Sequence, residues 1–282
     1  MKDSQFQLPT ISVLVATYNR ADYLRICLAC LCDQDYSGKW QIVVADDGSN
    51  DHTLDVISEA QRNPNAPKII HCWHEHKLFR KAVILNEASR FANGELLFFL
   101  DSDCLPALNV LSVYAEHAAP DSFYLGGVYK LNQSFSKKTL GTMKRHEPIE
   151  LLMEAAQHKN QNPKQGKGVF VRYWKSKLYI ALKVRRPKIW GANFAVNRDV
   201  FEKINGFDEN FVGWGQEDSD LRNRLVKGAY EAVALHTKSR VYHLWHPTDM
   251  EARSRPSGEL NNRRYYIRPD IEVVCRKGLR KL

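Results

Sequence analysis

The most informative part of this chain is FFLDSDCLP, residues 98–106, in which an apolar strand runs into Asp101-Ser102-Asp103 before Pro106 stops it. Two carboxylates at positions i and i+2 beyond a strand end can both reach one cation when the chain bends between them. A divalent cation held there would neutralise a diphosphate. The alternative is a pair of solvated aspartates in an ordinary turn. The stretch therefore raises metal-assisted chemistry on a phosphate-bearing substrate as the first hypothesis.

Strands and helices alternate through the amino-terminal half of the chain. The predicted strands cover residues 11–17, 41–45, 68–72 and 95–100, and the predicted helices cover residues 21–33, 51–62 and 81–92. Continuous apolar strands are typical of a buried parallel sheet. Their alternation with helices indicates right-handed crossovers in an α/β fold.

Polar clusters follow three of these strands, at Thr17–Arg20, Asp46–Ser49 and Asp101–Asp103. In open α/β sheets the ligand binds at the carboxyl ends of the strands. We therefore expect one shared site at this edge rather than three unrelated turns.

The rest of the chain divides by composition. Residues 1–130 and 189–250 read as two halves of one domain. Residues 131–188 are rich in Lys, Gln and Asn and weakly periodic, with a predicted helix over 148–158, and we interpret them as an insertion or mobile region. Residues 251–282 are predicted to form a basic tail.

Composition also limits the compartment and the partners. The sequence contains no run of 18 apolar residues, so no membrane-spanning helix is predicted. The first ten residues lack the apolar segment of a signal peptide. A cytoplasmic protein is therefore expected. The six cysteines fit that compartment as reduced thiols, because the sequence holds no second cysteine cluster that would complete a zinc site. The net charge of +9, concentrated in 137–188 and 263–281, suits nucleic acid, anionic lipid or phosphorylated substrates, or is simply a solvated surface.

A second polar cluster lies in INGFDENFVGWGQEDSD, residues 204–220. A Gly-Trp-Gly loop at 213–215 offers an aromatic face to a ligand, and sugars commonly stack on such faces. Glu217 and Asp218 open a predicted helix near the positive end of its dipole. Ordinary helix capping would explain one acid but not the whole string.

Together these segments resemble a known family. VATYNR, VVADDGSND and FFLDSDCLP, in this order, resemble the family 2 glycosyltransferases with the GT-A fold. INGFDENFVGWGQEDSD is similar to the carboxyl-terminal signature of β-1,4-galactosyltransferases and bacterial chondroitin-polymerase-type transferases. The resemblance covers about residues 10–130 and 188–248. It implies an α/β GT-A fold and an enzyme that moves a hexose or N-acetylhexosamine from a UDP-sugar to a glycan.

The resemblance also implies roles for matching positions. Asp46 would bond the uracil ring, and Asp103 is the surer metal ligand. The residues expected to contact the nucleotide are Thr17, Tyr18, Arg20, Asp46, Asp47, Arg80, Lys81, Asp101 and Ser102. The residues expected to hold Mn²⁺, with Mg²⁺ as the alternative, are Asp103, Asp101, His243 and, after it, His246.

Transfer needs a base for the acceptor hydroxyl, and the family's Glu-Asp pair implies that Asp218 is this base. Glu217 would bind sugar hydroxyls, and single displacement at the anomeric carbon would invert its configuration. The residues expected to contact sugar are Trp190, Asn193, Gly213, Trp214, Gly215 and Glu217.

The acceptor is expected to be a glycan or lipid-linked glycan of bacterial lipopolysaccharide, capsule or exopolysaccharide, reached at the inner face of the cytoplasmic membrane. The basic tail would contact anionic headgroups there. The alternatives are a nucleic-acid-binding protein that uses the basic middle and tail, a nucleotidyltransferase, and an inactive scaffold of the same fold. Nucleic acid is not the expected partner, because the strand-end carboxylates would repel phosphates unless a metal intervened.

Overall fold

The computed structural model describes residues 7–141, 154, 163–183, 187–247 and 262–282. The strands are β1 (Ile11–Thr17), β2 (Trp40–Asp46), β3 (Lys68–Trp73), β4 (Leu96–Asp101), β5 (Cys104–Pro106), β6 (Ser122–Leu125), β7 (Gly127–Lys130), β8 (Asn193–Asn197), β9 (Glu231–Ala234) and β10 (Arg240–His243). The helices are α1 (Ala21–Cys32), α2 (Thr53–Gln61), α3 (Lys81–Ser89), α4 (Val110–Glu116), α5 (Gln133–Gly141), α6 (Pro163–Leu182), α7 (Arg198–Lys203) and α8 (Glu217–Lys227).

A seven-stranded sheet in the order β3-β2-β1-β4-β8-β6-β9 forms the centre of the molecule. Strand β1 pairs in parallel with β2 and β4, whereas β8 runs antiparallel to β4 and β6. Successive side chains of β1 enter opposite faces of the sheet. Val13 and Val15 pack in the core beside α1, and Leu14 packs in the core beside α3. Both faces are covered, which explains why the strands read as continuous apolar runs.

A smaller sheet in the order β5-β10-β7 lies after β4 and sets the position of the carboxyl-terminal histidines. His243 pairs in register with Cys104, and the backbone N–H of Leu244 donates to the carbonyl of Asp103 at 2.9 Å. The end of β10 is therefore tied to the Asp-x-Asp segment across 140 residues of sequence.

The middle of the chain carries more structure than its composition indicates. Helices α5 and α6 fall within residues 131–188, where the sequence predicted a helix only over 148–158. Of the predicted helix over 148–158, only Glu154 lies within the described residues. The weak periodicity of α6 has a physical cause, because apolar side chains occupy its solvent-facing side as well as its packed side.

Residues 262–282 pack against the domain rather than projecting as a tail. Arg268 forms an ion pair with buried Asp220 at 3.0 Å, and the Asn205 amide donates to the Cys275 carbonyl at 2.7 Å. Part of the basic charge assigned to a tail is thus used for internal pairing. All six cysteines are free and buried. Among the described residues, none of the helices combines the length and the apolar character needed to cross a bilayer.

Candidate active site

The three residues Asp103, His243 and His246 converge at the carboxyl edge of the sheets. The carboxylate of Asp103 lies 3.6 Å from Nε2 of His243 and 3.0 Å from Nε2 of His246. One ligand atom from each residue lies within 4.8 Å of the other two. One carboxylate oxygen and two imidazole nitrogens form a donor set suited to Mn²⁺ and related ions. These residues therefore fit a divalent metal.

The electrostatics of the cluster favour an ionised Asp103. Burial opposes ionisation, but the hydrogen bond with His246 and the charge of His243 outweigh it and lower the pKa of Asp103 to about 2. Asp103 therefore stays ionised throughout the neutral range, as a metal ligand must.

Asp101 lies outside this cluster, so the structure does not place it as a direct metal ligand. Its carboxylate is paired with Nζ of Lys81 at 2.5 Å, and Lys81 is the first residue of α3. Burial lowers the pKa of Lys81, but the charges of Asp101, Asp218 and Glu217 outweigh it, so the net shift is upward. Lys81 is therefore the buried counter-ion between Asp101 and the pair formed by Glu217 and Asp218.

Asp46, the last residue of β2, and Asp47, which follows it, are held by His71 in β3 and by His74 directly after β3. Oδ1 of Asp46 accepts the Ser49 N–H at 2.8 Å, and its Oδ2 lies 2.9 Å from Nε2 of His71. Oδ1 of Asp47 lies 2.7 Å from Nε2 of His74. Both carboxylates are almost fully buried, so their orientation is fixed before any ligand binds.

The loop after β1 borders the same edge. The ring of Tyr18 stacks on His76 with 4.2 Å between centroids, and the hydroxyl of Thr17 is buried without a hydrogen-bond partner among the described residues. Arg20 reaches in the other direction, where its Nη2 lies 3.4 Å from Nδ1 of His246. Ser102 is buried, with its N–H bonded to β1.

Arg80 is turned by its surroundings. Its backbone N–H donates to Oδ2 of Asp47 at 2.8 Å, and its guanidinium donates to the Glu75 carbonyl at 2.6 Å.

The sequence prediction missed His71, His74 and His76. Their signal was their position, because the strand predicted over 68–72 ends at the same edge of the sheet as the polar clusters.

The second acidic pair opens α8. The chain reaches it through left-handed backbone at Gly213, Gly215 and Gln216, whose φ angles are 86°, 98° and 77°. These angles turn the chain so that Glu217 and Asp218 enter the first turn of the helix. A side chain at the glycine positions would be strained, which explains the Gly-x-Gly spacing.

The surroundings of Glu217 and Asp218 raise the pKa values of both carboxyls. Oε2 of Glu217 and Oδ1 of Asp218 are buried without hydrogen-bond partners among the described residues. Burial, followed by the charge of Asp218, raises the pKa of Glu217 to about 8. Burial also raises the pKa of Asp218, although Lys81 and the N–H of Gly191 act against it. A carboxyl with a raised pKa is suited to accept a proton near neutral pH.

The aromatic residues expected to contact sugar differ in their surroundings. Trp214 is 40% exposed on the loop before α8. The ring of Trp190 is flanked by Arg172 at 4.3 Å and Lys188 at 4.6 Å. Asn262, which sequence reasoning missed, donates to the Gly215 carbonyl at 3.1 Å and so ties the loop to the carboxyl-terminal segment.

Asn193 does not line the site, and that prediction is wrong. The residue is fully buried. Its oxygen accepts from the Tyr114 hydroxyl at 2.6 Å and the Ser239 hydroxyl at 3.3 Å. Its amide donates to the carbonyls of Gly127 at 3.0 Å and Ser239 at 3.2 Å. No hydrogen-bonding capacity remains for a sugar, and Asn193 instead joins the two sheets.

The chain is similar to several curated proteins. It is 30% identical over 231 residues to validoxylamine A glucosyltransferase of Streptomyces hygroscopicus subsp. jinggangensis, covering 80% of this chain and 53% of that protein. It is 27% identical over 233 residues to chondroitin synthase of Escherichia coli, covering 80% of this chain and 34% of that protein. The chain thus spans about half the length or less of these relatives.

Solved structures share the fold. The mannosyltransferase PcManGT of Pyrobaculum calidifontis, solved with GDP-Man and Mn²⁺, matches with a TM-score of 0.60 at 20% identity, over 94% of this chain and 66% of that one. Residues 1–349 of S. aureus TarS, solved with UDP-GlcNAc, match with a TM-score of 0.53 at 19% identity, over 85% and 60% of the two chains. The predicted α/β GT-A fold is confirmed.

Two family models match the sequence. The one described as the N-terminal domain of galactosyltransferase matches residues 176–247, which include the second acidic pair and both site histidines. The one described as Glycosyl transferase family 2 matches residues 12–204, which include the strands that carry the aspartates. The chain therefore belongs to glycosyl transferase family 2.

Proposed function

We propose that this chain is an inverting glycosyltransferase that moves a hexose or N-acetylhexosamine from a UDP-sugar to a glycan acceptor. The observation that carries the proposal is the pairing of two different sites at one edge of the sheet. Asp103, His243 and His246 offer a metal donor set. Glu217 and Asp218 offer carboxyls with raised pKa values. Donor activation and proton removal are the two tasks of sugar transfer.

The chain's own residues divide these tasks. Asp103, His243 and His246 would hold Mn²⁺, or Mg²⁺, which when bound supplies positive charge against the donor diphosphate. Asp218 accepts the proton of the acceptor hydroxyl as that oxygen attacks the anomeric carbon, and UDP leaves from the opposite face. Glu217 binds sugar hydroxyls. A single displacement of this kind inverts the anomeric configuration.

The nucleoside would lie against Tyr18 and Thr17, with Asp46 accepting the N3–H of uracil. The histidine at 2.9 Å from Asp46 keeps that carboxylate oriented. Trp214 would supply an apolar face for the sugar, and its exposure supports this role. The family's Glu-Asp pair and the similarity to a chondroitin synthase support a polysaccharide acceptor, and we propose the lipopolysaccharide, capsule or exopolysaccharide of a bacterium.

The proposal is tested by measuring binding and hydrolysis of a panel of UDP-sugars and of GDP-mannose, with Mn²⁺, with Mg²⁺ and without metal. Wild type is compared with Asp103→Ala, Asp218→Asn and the matched control Asp199→Asn. Asp199 is exposed and lies in α7, which follows the end of β8 that pairs with the start of β4, the opposite edge of the sheet.

We expect one UDP-sugar to bind only when metal is present, and Asp103→Ala to abolish that binding. Asp218→Asn should keep donor binding and lose about 100-fold or more in turnover, because general-base catalysis commonly contributes 10²–10⁴-fold. Asp199→Asn should match wild type. Failure of all nucleotide sugars to bind with either metal would refute the proposal.

A further inference from the structure

Helix α6 turns a continuous apolar face away from the domain. Its inner side packs against β7 and β9, and Val169 and Ser176 are buried there. The outer side carries large apolar side chains that are about half exposed, and these are Phe170 (54%), Val171 (48%), Trp174 (55%), Leu178 (53%) and Leu182 (58%). Side chains three and four residues apart share one face of a helix. From Phe170 to Leu182 the outer face is therefore one apolar stripe, and the exposed Lys167 lies on the same face one turn before it.

Positive charge borders this stripe on both sides. With about 100° between successive helical residues, Lys177 falls on one edge of the stripe and Lys175 on the other. Both lysines are exposed. The sequence from 155 to 198 holds eleven Lys and Arg residues and no Asp or Glu. An apolar face between basic flanks is the pattern of a helix that lies in a membrane surface.

We propose that α6 lies in the surface of an anionic bilayer, with the Phe170–Trp174–Leu178–Leu182 stripe at the boundary of the acyl chains. Lys175 and Lys177 then lie at the level of the lipid phosphates, where each basic side chain is attracted by the negative surface. Trp174 is placed where tryptophan is enriched in membrane proteins, at the interface.

Two other occupants fit the face less well. A second copy of this chain would bring two basic flanks together, and their repulsion would oppose self-association. A nucleic acid would match the lysines, but bases stack on aromatic rings and not on aliphatic side chains such as Leu178 and Leu182. The bilayer uses both the charge and the aliphatic surface.

The helix is also connected to the active site, and this step rests on the proposed function. Arg172, on the inner part of α6, lies 4.3 Å from the ring centre of Trp190. The N–H of the next residue, Gly191, bonds to the proposed base Asp218. A bilayer against the outer face would hold the acceptor side of the site close to the membrane. The acceptor class that this arrangement favours is a glycan on a lipid anchor.

The proposal is tested by co-sedimentation of the full chain with vesicles of phosphatidylcholine, alone or mixed with phosphatidylglycerol. The outer-face variant is Trp174→Ser/Leu178→Ser, and the charge variant is Lys175→Gln/Lys177→Gln. The control is Leu54→Ser, which removes a 60% exposed leucine from α2. Circular dichroism and nucleotide-sugar binding are measured on every variant to establish that each one folds.

We expect wild type and Leu54→Ser to bind the phosphatidylglycerol vesicles equally. The outer-face variant should lose about tenfold or more in vesicle affinity, since two half-exposed apolar side chains no longer leave water. The charge variant should lose about fivefold for each lysine on anionic vesicles. It should change little on phosphatidylcholine alone.

The proposal is overturned if wild type fails to bind the anionic vesicles, or if the outer-face variant binds them as well as wild type. It is also overturned if the face binds a poly-uridine RNA but no vesicle, a result that would assign α6 to nucleic acid. The two proposals fail separately. Vesicle binding by a wild-type chain that binds no nucleotide sugar would remove the proposed function and leave the membrane contact standing.

Discussion

Replacing Glu217 by Gln should stabilise the protein at alkaline pH while impairing its activity. Glu217 is 7% exposed, and burial together with the charge of Asp218 raises its pKa from 4.5 to about 8. A carboxyl whose pKa is higher in the folded state binds more protons there than in the unfolded chain. The free energy of unfolding that it contributes therefore falls as the pH rises from about 4.5 to 8.

The magnitude follows from the same shift. At about 1.4 kcal/mol for each tenfold change in proton affinity, raising the pH from 5 to 8 should destabilise wild type by about 3 to 4 kcal/mol through this one group. Glutamine does not ionise, so the Glu217→Gln variant escapes this loss. The difference in unfolding free energy between variant and wild type should therefore grow by about 3 to 4 kcal/mol over this range.

The assay is urea denaturation of both proteins at pH 5, 6, 7 and 8, without added metal or nucleotide. Comparing the two proteins cancels the titration of shared groups that lie far from position 217. Glu116→Gln is the matched control, because Glu116 is exposed at the end of α4, and it should show no pH-dependent difference. A constant difference between Glu217→Gln and wild type from pH 5 to pH 8, or one that shrinks, would refute the reasoning about the buried pair.

Two further predictions concern residues that do not act on substrate directly. Gly191→Ala would place a Cβ atom 2.1 Å from the present position of the Asp218 Oδ2 atom, so the carboxylate must move. We expect steady-state kinetics to show turnover at least tenfold lower, and calorimetry to show that donor binding is retained. Unchanged turnover would contradict the role proposed for Asp218. Asn193→Ala removes the buried hydrogen bonds to the Tyr114 and Ser239 hydroxyls and to the Gly127 and Ser239 carbonyls. Urea denaturation should therefore show a loss of about 2 to 4 kcal/mol, whereas a loss below about 1 kcal/mol would contradict the joining role.

The parts of the candidate site that could be predicted from sequence are those at the ends of strands and at the start of a helix. Asp46, Asp103 and Asp218 each follow a strong local signal, either a buried apolar run or a glycine loop that opens a helix. Because parallel strands end at one edge of their sheet, local patterns in different segments indicate a common location. Geometry along the chain is enough for such residues.

Other roles depend on contacts that no local pattern encodes. Asn193 is the first residue of β8, and its hydrogen bonds to the side chains of Tyr114 and Ser239, far away in sequence, make it a buried joint between the sheets. The exposed apolar face of α6 could not be predicted from the sequence for a related reason. A helix with apolar residues on both its packed and its exposed sides loses the periodicity by which amphipathic helices are detected. The sequence cannot say which apolar face is covered.

Lys81 allows Asp101 and the pair formed by Glu217 and Asp218 to lie at one edge of the sheet. Asp101 comes from β4 and Glu217 and Asp218 from α8, and burying several carboxylates together is unfavourable without a compensating charge. Lys81 supplies that charge from inside the fold, through its 2.5 Å contact with Asp101 and its attraction to the other two. Burial is the largest cause of the raised pKa values of Glu217 and Asp218, and the repulsion among three carboxylates that one lysine does not fully balance adds to it. The raised pKa values lower stability at neutral pH, and they suit the proposed role of Asp218 as the proton acceptor.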